Sequence, residues 1–195
     1  MNKVQRVAIL IYLWIISIVL AGCLKSKGIS HTESFFINFK SYEATVKVRL
    51  LKNSKPNVLK MKQKASLKGD YEYTLEEPTH LKGLHVVYDG KTITQYHLTT
   101  PEGVICEPSK ARQEMLLTSF VERYQKSKEI TKGVTKLEDK SMMTIEMLIE
   151  GNYKYMAREK LYLDEEKLLP VQMNIYDEAG NITLQVDYES FKYND

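Results

Sequence analysis

His80, His85 and His97 lie close enough together to raise the question of a metal site, which needs imidazoles or thiolates converging from fixed spacings. The segment between two of them answers it. Asp89-Gly90 separates His85-Val86-Val87-Tyr88 from Lys91-Thr92-Ile93-Thr94-Gln95-Tyr96, and Asp-Gly between strand-forming runs predicts a hairpin whose two-residue loop pairs Tyr88 with Lys91. On such a hairpin His85 shares a face with Val87, Thr92, Thr94 and Tyr96, while His97 shares the other with Val86 and Ile93. Those two imidazoles then cannot hold one ion. Cys106 beside a histidine would be a route to nucleophilic chemistry, yet Val104-Ile105-Cys106-Glu107-Pro108 contains no glycine-rich elbow or oxyanion turn. The adjacent acids Glu76-Glu77, Glu138-Asp139 and Glu165-Glu166 would suit glycosidase chemistry, but acids beside turns are ordinarily just solvated. With no nucleophile, base and orienting group converging, the expectation is a protein that is not an enzyme and holds no metal or cofactor.

One modification is written more plainly. Lys3 and Arg6 form a charged start, Val7 to Leu20 an apolar run, and Leu20-Ala21-Gly22-Cys23 ends it with small residues and a thiol. This resembles a bacterial lipoprotein signal, which implies that the Cys23 thiol is alkylated by lipid and the chain cut between Gly22 and Cys23. Cys23 would then be the mature N-terminus, held outside the cytoplasmic membrane by acyl chains, two of which suffice for stable anchoring. The alternative is an uncleaved membrane anchor; the apolar run is a little short of the roughly 20 residues needed to span hydrocarbon, and an anchor has no use for Ala-Gly-Cys at its end. The expected division is a signal peptide at 1–22, a polar tether at 23–30 with Lys25, Ser26, Lys27, Gly28 and Ser30, and one folded domain at 31–195. The chain has two cysteines, so lipidation of Cys23 leaves Cys106 without an intramolecular partner and excludes a disulfide framework. A net charge of +3, part of it from Lys3 and Arg6, gives no footprint for nucleic acid.

Strands must position whatever this domain displays. Phe35, Phe36 and Phe39 first suggest a short helix over 31–40, with aromatics along one side. The period then falls to two. Tyr42, Ala44, Val46, Val48 and Leu50 alternate with polar residues, as do Leu59, Met61, Ala65 and Leu67, then Tyr71, Tyr73 and Leu75. A further extended piece runs over 103–106. Pro108-Ser109 opens a helix with Leu117, Phe120, Val121 and Tyr124 as its apolar stripe, and Ala111 and Met115 nearby. Lys110, Arg112, Glu114, Glu122 and Arg123 are expected to cover its wet side. After Gly133 come Met143, Ile145, Met147 and Ile149; then Tyr153, Tyr155, Ala157, Leu161 and Leu163; then Val171, Met173 and Ile175; then Ile182, Leu184, Val186 and Tyr188, with a phase slip at Ser190 that predicts a bulge. A lone amphipathic helix among many strands must hide its stripe against the sheet.

Pro78 with Val86-Val87-Tyr88-Asp89-Gly90-Lys91 and Tyr96, followed by Leu161-Tyr162-Leu163-Asp164, Leu168-Leu169-Pro170, Tyr176-Asp177, Gly180-Asn181, Tyr188, Phe191 and Asn194, resembles the LolA/LolB-type lipoprotein carrier superfamily. The resemblance covers most of 42–194. It implies a mainly β fold with helices, a curved antiparallel sheet forming an incomplete LolA-like β-barrel, with a helix packed on the concave side. Within that superfamily, the lipid-attachment signal, the size and the tyrosine- and lysine-rich strands look closest to GerS-type spore germination lipoproteins of clostridia. That resemblance implies binding of a cell-wall amidase needed for muramic-lactam modification of cortex peptidoglycan, and so a role in germination.

Two surfaces compete for the binding role. Lys60, Lys62 and Lys64 project from one face of a strand, extended by Lys47 and Arg49, and such a stripe could meet an acidic partner or anionic lipid; lysines there also discourage edge aggregation. Val46, Val48, Met61, Tyr73, Met143, Ile145, Met147 and Met173, lidded by Leu117 and Phe120, could line a hollow for an acyl chain, making the protein a lipid or lipoprotein acceptor, or could fill a core. The anchor is directly testable. Cys23→Ala should abolish acyl labelling and signal processing, measured by metabolic labelling with detergent-phase partitioning; unchanged labelling would remove the lipid from the account.

Overall fold

Sequence alternation becomes burial in β1 (Ser41–Leu50), where Tyr42, Ala44, Val46 and Val48 face inward and Glu43, Thr45, Lys47 and Arg49 outward. The computed structural model describes residues 27–51, 56–108, 113–151 and 153–194. The signal peptide with its Gly22–Cys23 junction, and the first part of the tether, lie outside the described residues, as do Lys110, Ala111 and Arg112. The chain divides into two compact units, Met1–Ser34 and Phe35–Asp195. Of the first, the described part is helical and belongs to α1 (Lys27–Asn38), which begins within the stretch expected to be a tether.

The second unit is one antiparallel sheet. β2 (Asn57–Ser66), β3 (Tyr71–Glu77), β4 (Leu84–Tyr88), β5 (Ile93–His97) and β6 (Thr100–Cys106) follow β1 as a meander. The chain then runs through α2 (Leu117–Lys126) to β7 (Ile130–Leu137), β8 (Lys140–Leu148), β9 (Arg158–Asp164), β10 (Pro170–Tyr176) and β11 (Ile182–Asn194). The sheet order is β6-β5-β4-β3-β2-β1-β11-β10-β9-β8-β7, so the two meanders join where the last strand pairs with the first, and the sheet does not close. β6 and β7 are its two edges. The segment bearing α2 must therefore travel from one edge to the other, and α2 lies across the concave face, where its stripe is hidden.

Leu117, Phe120, Val121 and Tyr124 are all buried there. Aromatics from α1 and the sheet extend the packing: the Phe36 ring is 4.4 Å from Tyr124 and 6.1 Å from Phe120, and Tyr42 stacks on Phe191 at 5.3 Å. The slip in β11 is a bulge at Glu189, because Thr45 pairs with Ser190 while Val46 pairs with Tyr188. It returns Tyr188 and Val186 to the inner face.

Several expectations need correction. The hairpin loop after Tyr88 is longer than two residues: Tyr88 pairs with Ile93, not Lys91. The cause is Asp89, whose carboxylate accepts hydrogen bonds from the Lys91 and Thr92 amides at 2.9 and 2.8 Å, with Gly90 at φ +93° turning the chain. Those amides hold the Asp89 carboxyl below its ordinary range. Because the register moves by two, every side chain keeps its expected face. The stretch expected to open the helix after Pro108 lies, over 109–112, outside the described residues; Gln113 is helical, and after a turn at 114–116 α2 runs from Leu117. Tyr153 and Tyr155 precede β9 in a turn rather than belonging to it. β7 carries no clear strand signal in the sequence, since Lys132, Gly133 and Lys136 interrupt its apolar alternation, as suits an edge.

Phe120 has no exposed surface. Phe120→Ala should therefore cost about 3–5 kcal/mol by truncation of a packed ring, read as a lower denaturation midpoint. A change of less than about 0.5 kcal/mol would place the ring at a surface.

Candidate functional site

The inner face is where a ligand hollow was expected. Val46, Val48, Met61, Tyr73, Leu117, Phe120, Met143, Ile145, Met147 and Met173 are all buried and belong to one apolar cluster. Side chains lining a space that admits water would retain accessible surface, yet Val46, Met61, Phe120, Ile145 and Met173 retain none. These residues pack on one another.

Polar bonds fix the helix over them. The N-terminus of α2 has no side-chain cap, and its orphan Leu117 amide donates instead to the Tyr42 hydroxyl at 3.2 Å. That hydroxyl donates to Gln63 Oε1 at 3.0 Å, and Gln63 Nε2 reaches the Met61 sulfur at 3.4 Å. Burial pushes the Tyr42 phenol well above its ordinary pKa. Farther along α2, Arg123 grips Glu159 of β9 with Nε at 2.5 Å from Oε1 and Nη2 at 2.6 Å from Oε2, while Nη1 reaches Glu114 Oε1 at 3.1 Å. Glu114 and Arg123 were expected on the wet side. Instead Glu114 is buried and Glu159 fully so. The available signal was phase: Glu159 stands two residues before Leu161 and four before Leu163, on the inward face of β9.

Two carboxylates thus share one guanidinium inside the protein. Desolvation opposes the charge on Arg123, but Glu159 and Glu114 more than offset it and hold the guanidinium charged. Burial pushes Glu159 up to about 7 despite Arg123, and the charge of Glu114 adds to the rise.

The outer face carries the expected basic stripe, with its charges already met. Lys60 lies 2.6 Å from Glu189, Lys62 3.1 Å from Glu76, and Lys64 3.5 and 3.6 Å from Glu43 and Glu72. Arg49 pairs with Asp187. Lys47 stands opposite both Asp187 and Lys60 in the register. The hydrogen bond from Lys60 to Glu189 raises the lysine pKa, and the charges of Glu43 and Glu72 do the same for Lys64. A partner meeting this face meets alternating charge rather than a basic patch. Such exposed pairs contribute little to stability.

The histidines part as the faces required. His85 Nδ1 is 2.7 Å from Thr74 Oγ1 on the outer face, whereas His97 Nε2 is 2.8 Å from the Lys82 carbonyl oxygen. Among the described residues no group of three or more His, Cys, Asp or Glu is placed to hold a metal. Two grooves of about 380 and 480 Å³ share Ser41, Ser66 and Asp70 at the end of the sheet where β1 begins. Both are open to solvent.

The family model described as sporulation protein YdcC-like matches residues 3–195. No curated protein matches the chain. Among solved structures, an uncharacterized conserved protein from Thermus thermophilus matches with a TM-score of 0.52 at 16% identity, over 87% of this chain and 86% of that one. The structure of the CwlD amidase from Clostridioides difficile in complex with the GerS lipoprotein matches with a TM-score of 0.54 at 20% identity, over 87% of this chain and 96% of that one. At these identities the likeness is one of fold.

The shared guanidinium makes a pH prediction. A carboxyl whose folded pKa is raised stabilises the fold fully below its ordinary value and loses that contribution as pH rises through the folded one. Wild-type stability should fall between about pH 5 and pH 8, and Glu159→Gln should flatten that fall. Urea denaturation across the window is the measurement; equal slopes in both proteins would mean that Glu159 stays ionised throughout.

Proposed function

The chain belongs to the YdcC-like sporulation protein family, and on that premise we propose that it is a lipid-anchored, non-catalytic envelope protein that binds a cell-wall amidase and positions or activates it. The modification served would be that of spore cortex peptidoglycan needed for germination. The observation that carries this reading is the likeness of fold, over most of both chains, to the structure in which the GerS lipoprotein is complexed with the CwlD amidase. Three further features support it. The Leu20-Ala21-Gly22-Cys23 junction provides an address where wall enzymes work. The described residues bring no nucleophile, base and orienting group together. The packed inner face weighs against the acceptor reading, because a carrier needs volume for its cargo.

Membrane attachment also suits the task. Holding a binding partner on a surface replaces a search through solution with an encounter at raised effective concentration. Such a protein need do nothing but present the right contact.

The test uses the full chain in detergent micelles with a purified sporulation-stage amidase of the same cell. The expected result is a complex on size-exclusion chromatography, a rise in amidase turnover or metal occupancy, and no acyl species in native mass spectrometry. Stoichiometric bound lipid with no amidase binding would replace this reading by the acceptor, and Ile145→Trp or Met147→Trp would then be expected to expel the lipid.

A further inference from the structure

The two open edges of the sheet are built differently. β7 carries Lys132 and Lys136 around Gly133, the usual means of discouraging another strand from pairing there. β6 carries no lysine; its Pro101 and Glu102 guard the first half of the strand. Its centre is Gly103-Val104-Ile105, with Val104 65% and Ile105 73% exposed, and Leu98 in the preceding turn is 59% exposed. Val104 pairs with Gln95 and Ile105 with Thr94 on β5, so the two apolar side chains stand on opposite faces of the strand and both are uncovered. Beyond Glu102, the exposed apolar stretch at this edge presents backbone donors and acceptors with side-chain contacts on either side. β7 also exposes Val134, but there the lysines stand within two residues of it, whereas the Val104–Cys106 half of β6 is left open.

We propose that β6 is a docking edge that accepts an extended segment of a partner protein as a twelfth, antiparallel strand, one with an apolar centre and basic residues on its flanks. The charge of β6 selects the occupant. Glu102 and Glu107 are exposed on either side of the Val104-Ile105 pair, and no basic residue stands between them. A second copy of this chain offers neither Lys nor Arg on β6 to set across from Glu102 or Glu107. A strand with Lys or Arg at those positions supplies the opposite charge. Main-chain bonds supply the attachment and the two flanking charges supply register and selectivity. The basic stripe on the outer face does not compete for this role, since Lys60, Lys62 and Lys64 are paired with acids of other strands. The inference deepens the binding role proposed above by naming the contact, and rests on it for the partner's identity alone.

The experiment uses the full chain in detergent micelles and two synthetic peptides of about ten residues, the length of a long strand. Both have the same alternating valine–threonine centre, one flanked by lysines and the other by glutamates. Amide hydrogen exchange over Glu102–Cys106 should slow about tenfold or more with the lysine-flanked peptide, stay unchanged with the glutamate-flanked one, and lose its response in Ile105→Lys. That residue is exposed, so the variant keeps its fold; Val104→Lys serves as a second copy of the test. No slowing with either peptide, or equal slowing with both, overturns the proposal. So does a chain that sediments as a dimer with these amides already protected, which would assign the edge to a second copy. With the amidase itself, undiminished binding by Ile105→Lys overturns the edge while leaving the binding role standing. Peptide docking without amidase binding supports the edge and removes the amidase.

Discussion

The fold depends on one crossing. β1 and β11 pair in the middle of the sheet, which leaves the ends of the two meanders, β6 and β7, at opposite edges. The chain between them has to traverse the concave face, and α2 is what makes the traverse favourable. Its four buried stripe residues bring apolar surface to a sheet face that would otherwise be wet. Burial alone is non-directional, so the position of α2 is set by two polar contacts of long sequence separation. Tyr42 of β1 satisfies the first amide of the helix, and Glu159 of β9 holds Arg123 in its last turns. One contact belongs to each meander. The helix therefore ties together the two halves that the β1–β11 pair has joined edge to edge.

The same arrangement decides where charge sits. Outside, acids from β1, β3 and β11 alternate with the lysines of β2, so a face that is basic in one strand is balanced across several. Inside, the balance is incomplete, with two carboxylates to one guanidinium, and burial raises the Glu159 pKa to about 7. Replacing such a group by an apolar one is often neutral or stabilising, whereas removing only its partner leaves a buried charge. Arg123 is accordingly the less replaceable member.

What could be read from the sequence was whatever depends on period. Alternation located β1, β2, β3 and β8 and chose their inner residues, and the i, i+3, i+4, i+7 stripe located α2 and its buried face. The phase slip at Ser190 located the bulge. The failures share a cause, since each turns on a partner that the local pattern does not show. Asp89-Gly90 signalled a hairpin correctly, but the Asp89 carboxylate, by capping two amides, lengthened the loop. Arg123 and Glu114 looked wet because charge usually is; only the presence of Glu159 on the facing strand makes their burial tolerable. Likewise the stripe of lysines looked bare because Glu76, Glu189 and Glu43 lie on three other strands. Charge pairing across a sheet is fixed by register, and register is the property a single sequence states least directly.

An unclosed sheet with a filled concave face has a restricted set of ways to act. To open an interior it would have to lift α2, exposing Phe120 and Leu117 and stranding Glu159 without its cation. Both costs fall on the same motion, because the helix carries the apolar stripe and the arginine together. The convex face offers paired charge, which discriminates among partners better than it attracts them. The edge remains, where backbone groups need a partner and little has to be undone to receive one. That order of costs, with the interior most expensive and the edge least, favours a protein that acts by presenting a contact over one that acts by enclosing a cargo.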